Sequence, residues 1–270
     1  MKRVLTLLFC VFNFQLGFTQ ELFSFTEPAS NMPSKSIGFR LTNTLMKEDA
    51  SNQYNLHLLP EIMVGLNRHF MFHAEGFISN RNNKVSADGA ALYGKYRFFS
   101  SDDIHSHFRL AAFSQWAFNI SDVHQDAIDL RGLNSGFNVG ILATKLINKT
   151  AISSSIAYVN AMSNGKNGEH QFNNNNKAID YTLSIGKLFL PKEYVDYNQT
   201  NMNGMLEMLC QTNLSTGKTF VDLAPSLQFI ILSKMRLDLG YRFPLSKDLY
   251  RTATSGGMIR FEYNIFSAFK

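Results

Sequence analysis

From Ile37 to Ile265 the chain changes polarity at every second residue, segment after segment. Ile37, Phe39, Leu41 and Leu45 alternate with Gly38, Arg40, Thr42 and Thr44, while Phe70, Phe72, Ala74 and Ile78 alternate with His73, Glu75 and Ser79. Successive side chains of an extended strand point to opposite faces, so a period of two gives each segment one apolar and one polar face. No apolar run in this region approaches the ~20 residues of a membrane-spanning helix. The alternation therefore constrains the chain to β structure.

Ten further segments follow the same rule, beginning near Leu56, Leu92, Phe108, Phe137, Ile152, Ile179, Leu206, Val221, Met235 and Ile259. Twelve segments of about ten residues give the even strand number of single-chain bacterial barrels. The expected fold class is all-β, a transmembrane antiparallel up-and-down β-barrel of about 12 strands. Such barrels alternate short periplasmic turns with longer outer loops. The joins around Asn67-Arg68, Ser100–Asp103, Asn148-Lys149 and Ser233-Lys234 are short, whereas DVHQDAID and SNGKNGEHQFNNNN are long and polar. Two joins break the rule: PKEYVDYNQTNMN (191–203) is long where a turn is due, and STGK is short where a loop is due. A soluble β-sandwich would also alternate. Its polar face would meet water, but many of those positions here are Gly, Ala or Ser, which suits a confined lumen.

The termini fit export to a membrane. Lys2 and Arg3, the apolar stretch Val4–Phe14 and the small residues Gly17 and Thr19 compose a signal peptide over residues 1–19, with cleavage expected before Gln20. Residues 20–35 are then an N-terminal periplasmic segment and residues 36–270 the outer-membrane barrel of a Gram-negative bacterium. The closing strand, RFEYNIFSAFK, is amphipathic with Phe269 next to last, in the manner of an assembly signal for barrel-assembly machinery. Of 26 basic residues, losing Lys2 and Arg3 leaves 24 against 21 acidic ones, with no basic cluster, which does not indicate nucleic acid as a partner. After cleavage Cys210 is the single cysteine, so no intramolecular disulfide forms. Tyr96, Phe98, Phe118, Tyr158, Tyr241 and Phe243 fall near strand ends, where interfacial aromatic girdles belong.

Two motifs suggest catalysis and neither is complete. His73-Ala74-Glu75 has the spacing of a zinc-deaminase motif, but such a site also needs P-C-x-x-C, and the mature chain has one cysteine. Ser163-Asn164 matches part of the His-x-Ser-Asn motif of barrel lipid hydrolases, yet the position of the base is Ala161; His124 and His170 are loop residues. No enzymatic activity, cofactor or metal is expected.

The polar faces carry the remaining signal. Arg40, Lys95, Arg97, Arg109, Arg236, Arg242 and Arg260 face Glu61, Glu75, Asp180, Glu207, Asp222, Asp238 and Glu262, seven of each sign. A charge-selective pore would show an excess of one sign; balance implies cross-strand pairs that fill and stiffen the lumen. These residues, Asp180 excepted, together with His73, are the lumen-lining candidates.

The segments FTEPASNMPSKSIGFRL, LPEIMVGLN and LFLPKEYVDYNQTN resemble those of Bacteroidota outer-membrane β-barrel transport proteins near the family named for the MetA pathway of phenol degradation. The resemblance spans most of the mature chain, rests on scaffold motifs and transfers no functional residue. It implies a narrow pore or uptake protein for small solutes, hydrophobic ones among them, with outer-membrane lipid as surroundings. The alternative is a non-conducting barrel that binds or adheres through loops 120–132 and 162–177; a lipid hydrolase is a third reading.

Overall fold

The computed structural model describes residues 23–49, 53–81, 84–103, 106–164, 176–191 and 199–269. The expected signal peptide, His170 and most of loop 162–177 lie outside them. Twelve strands follow in chain order: β1 (Ser36–Glu48), β2 (Tyr54–Gly65), β3 (Phe70–Ser79), β4 (Ser86–Asp102), β5 (Ser106–Asn119), β6 (Ser135–Ile147), β7 (Thr150–Met162), β8 (Lys177–Leu190), β9 (Asn201–Asn213), β10 (Thr219–Ile231), β11 (Met235–Lys247) and β12 (Ala253–Ile265). Each pairs antiparallel with its chain neighbours, and β1 pairs with β12 to close the barrel. Closure leaves no free edge, which hydrocarbon requires because it offers backbone groups no hydrogen bonds.

Burial is inverted relative to a water-soluble protein. Leu92 is 61% exposed, whereas Glu207, Asp222 and Asp238 are 0% exposed. The outer wall is a belt of Phe39, Ile62, Leu92, Ile141, Ile156 and Ile259. The sandwich alternative fails on both closure and this inversion. Stacked aromatic pairs mark the outer wall towards each end: Phe70–Tyr96 (centroids 4.7 Å apart) and Trp116–Phe137 (5.3 Å). A register shift between Arg97 and Phe99 leaves Phe98 and Phe99 both exposed. Short joins such as 148–149 gather at one end, with the start of β1 and the end of β12; we call it the turn end and its opposite the loop end.

Two stretches without strand structure occupy the interior. Residues 23–33, expected on the periplasmic side, run inside the barrel from the turn end. Phe23 packs on Leu146, Ala151 and Met205, Ala29 on Ala111 and Leu142, and Met32 on Met63 and Met71. The reason is chemical: the segment makes no ladder of its own, so its buried backbone groups must find partners on the lumen wall. From the loop end, the β5–β6 connection dips inward, placing Ile128 and Leu130 against Leu59, Phe77, Ala91 and Val159. The second half of loop 120–132, from Ala127 on, is thus an internal element.

Candidate functional site

The lumen is built around the two inserted stretches. Glu207, on β9, has no cation partner among the described residues. Its carboxylate instead accepts the main-chain N–H groups of Ser24 (2.9 Å), Phe25 (3.0 Å) and Thr26 (2.8 Å), and the Thr26 hydroxyl (2.8 Å). Lys95 Nζ, on β4, donates to the carbonyls of Pro28 and Ser30, each at 2.8 Å. Arg236 donates to the Phe23 carbonyl, Arg109 to the Ser30 hydroxyl, and the Ala29 N–H donates to Thr144. The segment therefore crosses the barrel from β11 and β9 to β4.

Arg40 is the hub of the charge network. It reaches Glu262 (2.9 Å), Glu61 (3.1 Å) and Glu27 of the segment (3.0 Å). Glu61 and Glu262 lie directly opposite Arg40 in register on β2 and β12, so strand pairing alone brings these charges together. Arg236 pairs with Asp238 and Glu262, and Arg260 approaches Asp238 at 3.7 Å. Burial by itself would raise the Glu27 carboxyl, but Arg40 and Lys95 outweigh it and hold Glu27 well below the usual carboxylate range.

The loop end repeats the theme with different chemistry. The Gln211 side chain accepts the Ile128 N–H (2.7 Å) and donates to the Ile128 carbonyl (2.8 Å), clamping the inward loop by its backbone. Arg131 of that loop pairs with Glu75. Asp222 takes Arg242 and Arg251, and both guanidinium groups lie over the Phe220 ring. The loop also bonds the β11–β12 connection, through Asp126 and Ala127 N–H groups to the Tyr250 carbonyl.

The lumen candidates named above thus have defined partners within this network or on the inserted segment. Arg97 is half-buried on β4. His73 and Glu75 do not act together: His73 Nδ1 meets Glu61, whereas Glu75 meets Arg131. Ser163 is exposed, its neighbour Asn164 bonds the Leu133 and Ser121 carbonyls, and His124 is exposed on the loop. Sequence patterning missed Glu27, Arg131, Arg251 and Gln211 as site residues. The first three lie outside the strands, where period two has no meaning; Gln211 lies on β9 but carries no charge to mark it.

Closure is tight. The cavity between Phe23, Glu27, Pro28, Arg40 and Arg236 measures about 10 Å³, room for about one water. A much larger open groove, about 820 Å³, lies on the outer wall over Pro60, Ala74, Gly76 and Ala90, between Phe39, Phe118 and Phe261. The β2–β3 ladder is interrupted there, running from Leu58↔Ile78 to Glu61↔Glu75, because Pro60 has no N–H to donate.

No family model matches the chain, and no curated protein matches it. Solved structures do. An outer-membrane channel of the COG4313 group from Pseudomonas putida F1 aligns over 91% of this chain and 100% of its own, with a TM-score of 0.55 at 9% identity. The KdgM porin aligns over 84% and 98%, with a TM-score of 0.51 at 10% identity. The chain shares its fold with these two barrels.

Proposed function

We propose that the chain is an outer-membrane uptake barrel for small solutes, closed at rest by residues 23–33 and narrowed by the inward loop between β5 and β6. The observation that carries this reading is the nature of the closure. The lumen is blocked by separable chain segments seated on a polar wall, which can leave without breaking the barrel ladder. The channel-barrel fold supports it, as does the resemblance to Bacteroidota barrels near the MetA-pathway family. The apolar belt suits the outer-membrane lipid of a Gram-negative bacterium, which the chain would reach with its signal peptide and barrel-assembly machinery. Short turns then face the periplasm. Liposome swelling tests the reading: deleting residues 23–33 should raise flux of small solutes above that of the full chain. Equal, negligible swelling in both, with folding shown by heat-modifiable gel migration, would refute it.

The outer groove favours a second reading, in which a hydrophobic solute passes between lumen and lipid beside Pro60 and Gly76. Ala90→Trp would fill the groove. That variant should reduce flux of a hydrophobic solute while leaving hydrophilic solutes unaffected; unchanged hydrophobic flux would exclude this route.

A further inference from the structure

The way the inserted segment is held identifies more than a stopper. Seven main-chain groups between Phe23 and Ser30 are bound by the wall: the N–H groups of Ser24, Phe25, Thr26 and Ala29, and the carbonyls of Phe23, Pro28 and Ser30. Contacts of this kind do not depend on which side chains the segment carries. Glu207 makes the point most sharply. It is a wholly buried carboxylate compensated by three consecutive N–H groups and one hydroxyl, with no cation beside it among the described residues. If the segment withdraws, that charge needs donors of the same spacing, because an unpaired buried charge is strongly unfavourable. Lys95 at the other side of the cradle needs acceptors in the same way, and received two alternate carbonyls of the segment.

We infer that the lumen wall formed by Arg236, Glu207, Thr144 and Lys95 is a binding site for short peptides in a bent conformation, and that the chain's own segment, bent at Ser24–Thr26, occupies it at rest. This rests on the uptake reading and names its solute class. An arriving peptide of about eight residues would place successive N–H groups on Glu207 and alternate carbonyls on Lys95, taking over the contacts as the segment leaves. Gln211 holds the inward loop in the same currency, by the N–H and carbonyl of one residue, so both closures are read through backbone groups. A tethered segment competes at a high effective concentration, of order millimolar for a short connection; the test therefore uses a full chain whose segment is loosened.

The experiment uses full-length Phe23→Ala/Glu27→Gln in detergent, its folding checked by heat-modifiable migration. Fluorescence anisotropy follows a labelled peptide of sequence FSFTEPASNMPS. Binding is expected, and a peptide with the same residues in scrambled order should compete within a few-fold. N-methylation of three consecutive backbone nitrogens in the unlabelled peptide should weaken its competition by about tenfold or more, since each lost bond was made to a charged group. Adding Glu207→Gln to the protein should weaken peptide binding similarly. The inference is overturned if no peptide binds, if binding follows side-chain order and not backbone methylation, or if lysine or an oligosaccharide of equal size displaces the label equally well. Conductance of the same preparation separates the outcomes: a conducting barrel that ignores peptides refutes this inference alone, and a folded, non-conducting barrel refutes the uptake reading.

Discussion

The two inserted stretches close the same lumen by different physics. At the turn end, residues 23–33 are fixed by ionic side chains: Glu207 on three N–H groups, Lys95 on two carbonyls, Arg40 on Glu27. At the loop end, Ile128 and Leu130 pack on Leu59, Phe77 and Val159, the neutral amide of Gln211 holds the Ile128 backbone, and one ion pair, Arg131–Glu75, is added. Charged hydrogen bonds respond to pH, whereas apolar burial does not. The turn-end closure, which carries more charged contacts, should therefore be the more sensitive to acid.

Substitutions can break this contrast in a defined order. Arg40→Ala should have the largest effect, because it removes the cation that Glu61, Glu262 and Glu27 share. Breaking a buried pair from one side costs about 3–5 kcal/mol, so the temperature at which the folded band is lost on a gel should drop clearly. Gln211→Leu should come next: it leaves the Ile128 backbone groups unpaired at about 1–3 kcal/mol, loosening the loop without changing the pH response. Lys247→Ala removes an exposed pair with Asp49 and should shift stability by no more than about 1 kcal/mol. An effect of Lys247→Ala equal to that of Arg40→Ala would erase the distinction between lumen and surface charges.

Acid sharpens the comparison. Glu27 has a lower pKa when docked than its ordinary value of 4.5, so its docked form binds protons more weakly. Its contribution to holding the segment is complete above about pH 4.5 and is lost as pH falls through the depressed value. Solute flux should therefore rise on acidification below pH 4.5, and Glu27→Gln should show much of that rise already at neutral pH. Flux that increases towards alkaline pH would carry the wrong sign for this mechanism.

The strands were legible because one physical rule, apolar outside and polar inside, repeats at every second residue from β1 to β12. The same rule marked Arg40, Glu61 and Glu262, which strand register then brings face to face. The closures were not legible. Residues 23–33 carry no period, and their partners come from β4, β6, β9 and β11, far away in sequence. Placing them requires the closed barrel first. The same holds for Arg131 and Arg251, loop residues whose pairing with Glu75 and Asp222 depends on the loops folding inward. His73-Ala74-Glu75, already incomplete as a metal motif in the sequence, splits in the structure between two partners, Glu61 and Arg131.

The central claim is that withdrawal of the segment opens the lumen, and a reversible lock tests it. Thr26 Oγ1 and Ser184 Oγ lie 2.9 Å apart, close enough for the double substitution Thr26→Cys/Ser184→Cys to pin the segment to β8. In planar-bilayer recordings below pH 4.5, the oxidised protein should stay closed, and reductant should bring openings that approach the conductance of the chain lacking residues 23–33. Identical traces before and after reduction would contradict the account.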